Sequence, residues 1–285
     1  MTSVRALLVL LGALLFAVSI PNMATAQPVC DGGPAAPAAV NASQYATLAW
    51  SPFGRAETGW AIYYPRVAYE IGSQCQPATP GFAASLMRWA RAHGLPGTGV
   101  LDPPTFAAMK AHWQGVRPFV RASRDCPDPP PAQMLATAAP RESYGGKLVQ
   151  LRAAALAAYR AMVADARAAD SAIRREKRAF QIFSGFRDPA YDAARCVVQG
   201  NCQGITRASC SAHRTGLAMD MWVGQAPGFG PDSTADPNRL AMVATPAYRW
   251  LLANAARYGF VNYAFEPWHW EWTGEPVQPR AHSPG

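Results

Sequence analysis

Two His and two acidic residues in the C-terminal half of the chain could form a catalytic metal centre. His213 is followed seven residues later by Asp220, and Glu266 is followed three residues later by His269. A catalytic zinc site has three protein ligands and one position left for water. This set can therefore supply the ligands and leave one carboxylate to act as a base. The chain has only five His, and each segment contains one of them.

The neighbours of these groups favour the same interpretation. Asp220 lies in an apolar run, and a buried carboxylate is costly unless it is paired or binds a cation. Gly216 permits a tight bend that could bring His213 and Asp220 together. Pro267 disfavours a helical conformation at Glu266 and predicts an extended turn. From these residues alone, one alternative is a structural hydrogen bond between His213 and Asp220. The other is a metal site, in which either Asp220 is the ligand and Glu266 the base, or Glu266 is the ligand and Asp220 the base.

Arg187 follows a strand candidate, where Ser184-Gly185-Phe186 turns the chain. A guanidinium at that position could bind a substrate carboxylate or stabilise a developing oxyanion. The alternative is a surface ion pair with Asp188 or Asp192.

Three motifs occur in order between roughly residues 142 and 272. They are Ser184-Gly185-Phe186-Arg187, Ser211-x-His213-x-x-Gly216-x-Ala218-x-Asp220 and Glu266-Pro267-Trp268-His269. Together they resemble the zinc D,D-peptidases of the VanY D-Ala-D-Ala carboxypeptidase family. That family shares a fold with VanX-type dipeptidases, MepA-type endopeptidases and the Hedgehog signalling domain.

The resemblance implies a Zn²⁺ cofactor, with His213, Asp220 and His269 as its ligands. It implies that Glu266 is the catalytic base, which decides between the two assignments left open above.

The resemblance also implies a substrate site. Arg187 is expected to polarise the scissile carbonyl and bind substrate, and Ser211 to contact substrate. Trp268 is expected as a further substrate contact, and packing beneath the site is the alternative for the Trp cluster around it. The Cys-bearing segment 196–210 is longer than in minimal members of the family, so the rim of the site and the substrate preference remain open.

The elements around the motifs predict an α+β domain. Apolar residues recur at spacings of three and four from Leu148 to Ala166, which predicts a long amphipathic helix. Strand candidates lie at 180–183, 217–223 and 260–265, and residues 248–258 predict a helix between the last two. A long helix followed by mixed strands and helices is typical of α+β architecture. The family resemblance implies a Hedgehog/D,D-peptidase-like domain with a small central antiparallel sheet.

The preceding part of the chain predicts a small, mainly helical domain. Helices are expected at 82–93 and 105–113, separated by a Gly-rich turn. Over about 35 residues this segment resembles the small peptidoglycan-binding module that accompanies wall hydrolases. An unrelated helical cap is the alternative.

Composition divides the chain into segments. An apolar run after Arg5, ending in Ala24-Thr25-Ala26, predicts a signal peptide, and Pro-rich stretches predict linkers. The predicted segments are a signal peptide (1–26), an Ala/Pro-rich linker (27–48), the helical domain (49–124), a Pro-rich linker (125–140), the zinc D,D-peptidase domain (141–275) and a tail (276–285).

Cysteine usage and charge agree with export. The six Cys predict disulfides in an oxidising compartment. Cys196 and Cys202 could close a short loop, Cys210 could reach back, and at least one bridge must join the halves if all six pair. The formal net charge of +8 is dispersed and lacks the aromatic interleaving of a nucleic-acid groove, so no nucleic-acid partner is predicted. The signal run is shorter than a membrane span, so no stable membrane insertion is expected after cleavage.

The sequence therefore predicts a periplasmic or secreted zinc peptidase that acts on peptidoglycan stem peptides in the cell wall. Removal of the terminal D-Ala is the expected reaction. The alternatives are an endopeptidase that cuts D,D cross-links or the L-Ala–D-Glu bond, and a non-catalytic wall-binding module.

Overall fold

In a computed structural model the protein is described over residues 29–122, 126–203 and 208–276. The predicted signal peptide lies outside these ranges, as do residues 277–285 of the predicted tail. The helices, α1 to α10 in chain order, are Ala35–Thr47, Tyr64–Glu70, Pro80–Ala92, Pro103–Gly115, Pro118–Ala122, Ala153–Ala169, Ser171–Arg175, Pro189–Gln199, Asp236–Val243 and Pro246–Asn254. The strands, β1 to β8, are Ala49–Trp50, Glu57–Thr58, Leu135–Thr137, Gln150–Arg152, Ile182–Ser184, Ala218–Met221, Phe260–Asn262 and His269–Trp272.

A four-stranded antiparallel sheet with the order β5-β6-β8-β7 lies at the centre of the C-terminal half. Every residue of β6 is buried, which explains why this strand is a nearly continuous apolar run. Ser184 of β5 pairs with Asp220 of β6, and Asp220 pairs with His269 of β8. The predicted α+β class with a small antiparallel sheet is confirmed. None of the described helices has the length and apolar character needed to cross a membrane.

The long helix α6 begins later than its periodicity suggested. Leu148 is 81% exposed and lies outside the helix, so the prediction of a helical face starting there was wrong. Residues 150–152 instead pair with 135–137 as β4 and β3, because a strand partner was available that the helical pattern did not reveal. From Ala155 to Ala166 the predicted apolar face is buried as expected.

The Ala/Pro-rich segment 27–48 is not a linker throughout, and this prediction was wrong over α1. Pro34 is the N-cap of α1 and Pro37 lies in its first turn, where a missing backbone N–H costs no helical hydrogen bond. Asn41 of α1 is fully buried, and its side-chain amide bonds the carbonyl of Gly99 (2.8 Å) and the N–H of Leu101 (2.9 Å). The helix is therefore part of the N-terminal fold.

The two halves share one hydrophobic core, which runs from Trp60 and Phe82 to Met219 and Trp270. The Pro-rich segment predicted as a linker at 125–140 also takes part in the fold, because its Pro-free stretch forms β3. The division of the chain into a helical domain and a peptidase domain stays a prediction.

Three disulfides join the six cysteines. Cys196–Cys202 closes the predicted short loop, and Cys126–Cys210 is the predicted bridge between the halves. Cys30–Cys75 connects the start of the described chain to the segment before α3. The Cys126–Cys210 bridge ends one residue before Ser211, so it ties the Pro-rich segment to the loop that carries His213.

Candidate metal centre

The three predicted metal ligands meet at one point in the C-terminal half. His213 lies in a 3-10 turn (Ala212–Thr215), Asp220 in β6, and His269 at the start of β8. His213 Nε2 is 3.1 Å from Asp220 Oδ2, and His269 Nδ1 is 2.9 Å from Asp220 Oδ1. All three residues are buried, and their candidate ligand atoms lie within 4.8 Å of one another. This group could hold a metal ion.

The outer ring nitrogens of both imidazoles have partners that set the orientation of the rings. His213 Nδ1 is 2.8 Å from the carbonyl oxygen of Gly185, and His269 Nε2 is 3.4 Å from Glu271 Oε1. Hydrogen bonds of this kind select the tautomer and direct the opposite nitrogen at a metal.

Gly216 makes the bend that was expected between His213 and Asp220. It ends the 3-10 turn with φ of 69°, a left-handed conformation that glycine adopts without strain. The backbone N–H of Gly216 donates to the carbonyl of His213 (3.1 Å), which closes the turn beside the metal cluster.

The buried acidic and imidazole groups strongly perturb one another. Burial lowers the pKa of His213 to about 4, so its imidazole is neutral near pH 7. Burial also acts to lower the pKa of His269, but hydrogen bonds to Asp220 and Glu271 outweigh it and raise that pKa to about 9. Burial acts to raise the pKa of Asp220, but the two imidazoles lower it overall. A divalent cation could replace the proton of His269 as the charge partner of Asp220.

Glu266 lies beside this cluster, in a turn rather than a helix, as Pro267 predicted. Its N–H donates to the carbonyl of Tyr263 (2.9 Å), and its own carbonyl accepts from the N–H of His269 (3.0 Å). Glu266 Oε2 is 3.9 Å from His269 Nδ1, and the side chain remains 28% exposed. Burial raises the pKa of Glu266, as suits a group that exchanges protons.

Arg187 points into the site rather than to the surface. Its Nη2 is 3.5 Å from Asp220 Oδ2, and its Nε donates to Ser184 Oγ (3.2 Å). Asp188 instead caps α8 by accepting from the N–H of Tyr191 (2.8 Å). The structure therefore favours the site position of Arg187 over a pair with Asp188.

The two other predicted substrate contacts differ in position. Ser211 Oγ donates to Asp192, with both carboxylate oxygens at 3.4 Å, so this side chain lies next to the Arg187 region. Trp268 is only 3% exposed and belongs to the core. This burial favours packing beneath the site, and a substrate contact at Trp268 stays a prediction.

Sequence reasoning missed Glu271 and Arg117. Glu271 shares a face of β8 with His269, two residues away, so the period of a strand could have revealed it. Arg117 Nε donates to Glu271 Oε1 (2.6 Å) across a sequence separation of 154 residues, and no local pattern points to that contact. Arg117 and His269 hold the pKa of Glu271 at about 2, against the effect of its burial.

The segment that carries this site is similar to a known family. Residues 148–275 match the family model described as VanY: D-alanyl-D-alanine carboxypeptidase. We call this matched segment the VanY-type domain. All the residues of the candidate centre from Arg187 to Glu271 lie within the VanY-type domain, and the resemblance inferred from the three motifs is confirmed.

Similar solved structures include two peptidases. One is the LdcB LD-carboxypeptidase, which is 23% identical with a TM-score of 0.36; the match covers 50% of this chain and 69% of that chain. The other is a mutant of the vancomycin resistance D,D-pentapeptidase VanY in complex with Zn(II). It is 19% identical with a TM-score of 0.29, and the match covers 51% of this chain and 83% of that chain. Comparison with curated proteins gives no match.

Proposed function

We propose that the chain is an exported zinc metallopeptidase that removes the terminal D-Ala from peptidoglycan stem peptides. The observation that carries this proposal is the buried cluster of His213, Asp220 and His269 inside the VanY-type domain, with Glu266 3.9 Å from His269. Two imidazoles and a carboxylate are a common ligand set for catalytic zinc, and three protein ligands leave a position for water.

The residues present fit a zinc ion. His213 Nε2, His269 Nδ1 and a carboxylate oxygen of Asp220 converge, while the outer nitrogens of both rings face other partners. When bound, zinc lowers the pKa of a water ligand to about 7 and polarises a substrate carbonyl.

Glu266 is the proposed general base and acid. Its carboxylate is partly exposed and adjoins the ligand cluster, so it can accept a proton from the attacking water at Oε2. The same group can then deliver that proton to the nitrogen of the leaving D-Ala. A raised pKa favours this second step, since the protonated carboxyl persists closer to neutral pH.

Arg187 is the proposed group that orients the peptide. Its guanidinium is largely buried, with 15% of the side chain exposed, and burial lowers its pKa. A guanidinium held in this way can donate to the carbonyl or carboxylate of the substrate and stabilise negative charge on the carbonyl oxygen as water attacks. Ser211 is proposed to contact the same end of the peptide.

The test is a digest of purified muropeptides by the zinc-loaded full chain, analysed by mass spectrometry. We expect loss of one terminal Ala from pentapeptide stems without loss of cross-links. Glu266→Gln is expected to lower kcat by about 10²–10⁴-fold, the usual contribution of a positioned base, while zinc stays bound. Glu275→Gln is the matched control, because that carboxylate is also 28% exposed but pairs with Arg152 instead of facing the cluster.

Other outcomes would replace the proposal. Loss of cross-links, or cleavage between L-Ala and D-Glu, would make the protein an endopeptidase. Full activity of Glu266→Gln would overturn the role of the base. No cleavage together with retention on purified wall material would favour a non-catalytic binding module.

We also propose that the protein acts outside the cytoplasm. The support is the N-terminal sequence with signal-peptide character and the three disulfides, which persist in oxidising compartments. Fractionation of cells that produce the full chain should place the protein in the periplasm or medium, shortened at its N-terminus. Retention in the cytoplasm with reduced cysteines would contradict this.

A further inference from the structure

A buried ion pair connects the N-terminal half (residues 29–122) to the strand that carries His269. Arg117 follows α4, and its side chain is only 8% exposed. It contacts Glu271 Oε1 through Nε (2.6 Å) and Nη2 (2.5 Å). The backbone N–H of Phe119 donates to the other oxygen, Oε2 (2.9 Å). Both oxygens of Glu271 are thus held by the N-terminal half.

Glu271 in turn faces the outer nitrogen of His269. The two side chains are on the same face of β8, and Glu271 Oε1 is 3.4 Å from His269 Nε2. A carboxylate at that position directs the other nitrogen, Nδ1, toward Asp220 and the proposed zinc site. Such outer partners commonly affect metal affinity strongly, because they fix the orientation of the ligand ring.

A second buried arginine makes a similar connection to the turn that carries Glu266. Arg239 is fully buried, and its Nε donates to the carbonyl of Phe265 (2.9 Å), the residue before Glu266. The same guanidinium is held by the N-terminal half through Glu57 Oε2 (3.1 Å) and the hydroxyl of Tyr63 (2.6 Å). Two independent connections therefore end next to residues of the candidate centre.

Stability alone does not account well for these pairs. Burying two charges costs desolvation energy, and well-packed apolar residues of similar volume often serve stability as well or better. A hydrogen-bonded ion pair fixes the geometry of the groups it joins, because its donors and acceptors must align. An apolar contact imposes no such alignment. One pair lies beside His269 and the other beside Glu266, so the groups whose geometry they fix belong to the candidate metal centre.

We propose that the N-terminal half is a positioning part of the metal centre, in which Arg117 and Phe119 hold Glu271 and Glu271 orients His269 toward zinc. The proposal rests on the zinc site proposed above. It differs from a role of this half as an independent wall-binding module, because such a module would not need buried contacts to the residues around the site.

The test measures zinc affinity of the full chain by competition with a chelator, alongside kcat, KM and the thermal midpoint of the zinc-free protein. Glu271→Gln keeps the size of the side chain but not its charge, and we expect about 10–100-fold weaker zinc binding, the range typical of outer partners of metal-bound His. Arg117→Met should weaken binding in the same direction. The double variant should bind zinc no more weakly than Glu271→Gln alone, because Arg117 is proposed to act on the site only through Glu271.

Two further variants keep the result interpretable. Val67→Ala removes buried apolar volume from the N-terminal half without touching Glu271, so it should lower the thermal midpoint and leave zinc affinity unchanged. Arg117→Lys retains the positive charge and should fold even if Arg117→Met does not. We expect partial recovery of zinc affinity in Arg117→Lys, and a shift of the visible spectrum of the Co²⁺-substituted protein in both Arg117 variants.

The inference is overturned if Glu271→Gln and the folded Arg117 variants bind zinc as tightly as the wild type and lose only thermal stability, as Val67→Ala does. A wild-type chain that binds no zinc, or binds it and cleaves no muropeptide, would instead refute the proposed function. The two failures are therefore distinguishable.

Discussion

At the scale of single residues, Asp220 is the common partner of the candidate site. Its Oδ1 lies 2.9 Å from His269, while its Oδ2 lies 3.1 Å from His213 and 3.5 Å from Arg187. A carboxylate buried in this way needs positive charge around it. Arg187 supplies permanent charge and the imidazoles can be neutral ligands. The site can therefore accept a divalent cation without leaving Asp220 unpaired.

The position of Arg187 leads to a prediction about Arg187→Lys. A lysine keeps the charge near Asp220 but cannot donate from several fixed directions at once. We expect kcat to fall by about 10²–10³-fold, as when one donor to a developing oxyanion is lost, with zinc affinity close to that of the wild type. Steady-state kinetics and chelator competition measure the two quantities.

Arg160→Lys is the matched control for Arg187→Lys. Arg160 also uses its guanidinium for two hydrogen bonds, to both oxygens of Glu142 at 2.8 and 2.9 Å, but it lies on α6 and not in the candidate site. The kcat of Arg160→Lys should equal that of the wild type. Equal loss of activity in the two variants would remove Arg187 from the proposed mechanism.

At the scale of elements, a short turn and two strands place the ligands. Cross-strand pairing puts Asp220 opposite His269, and a 3-10 turn ended by Gly216 returns His213 to the same point. A β-carbon on Gly216 would come within 3.2 Å of Arg152 and Leu135 and 3.3 Å of Pro130. The turn is therefore restricted both by its backbone conformation and by its surroundings.

We predict that Gly216→Ala destabilises the protein more than Gly145→Ala does. The two glycines have nearly the same φ, 69° and 68°, but nothing lies within 4 Å of a β-carbon at Gly145. The free energy of unfolding should fall by roughly 1–2 kcal/mol in both variants, because alanine is strained in the left-handed conformation. In Gly216→Ala it should fall by about 1–3 kcal/mol more, because the added β-carbon is crowded. Urea unfolding at equilibrium measures both, and equal losses would show that the surroundings of Gly216 can relax.

The elements also show how far the sequence could be interpreted. The central strand β6, the α+β class and the group of His213, Asp220 and His269 follow from a local apolar run, a local bend and a family resemblance. Helix α1 was missed because its Ala/Pro composition is typical of linkers, although its prolines lie where a helix tolerates them. Arg117 could not be predicted, since its contact with Glu271 depends on how segments 154 residues apart pack together.

At the scale of the whole molecule, the two halves are joined by a shared core and by buried ion pairs, and one disulfide ties the Pro-rich segment after the N-terminal half to the loop before His213. Cys126–Cys210 links positions 84 residues apart, whereas Cys196–Cys202 links positions 6 apart. Both bridges are near the loop before His213, yet they restrict the unfolded chain very differently. A crosslink that closes a longer loop removes more conformational entropy from the unfolded state.

We therefore predict that Cys126→Ser with Cys210→Ser lowers the free energy of unfolding by about 4–5 kcal/mol, and Cys196→Ser with Cys202→Ser by about 2 kcal/mol, on the chain-entropy relation. Urea unfolding of the two double variants, each with the remaining disulfides verified by thiol titration, measures the difference. If the two double variants instead lose the same free energy of unfolding, the bridges act through the native structure of the site loop rather than through the unfolded chain. In that case the Cys196–Cys202 variant should also bind zinc more weakly, because this bridge precedes the turn that carries His213 by only about ten residues.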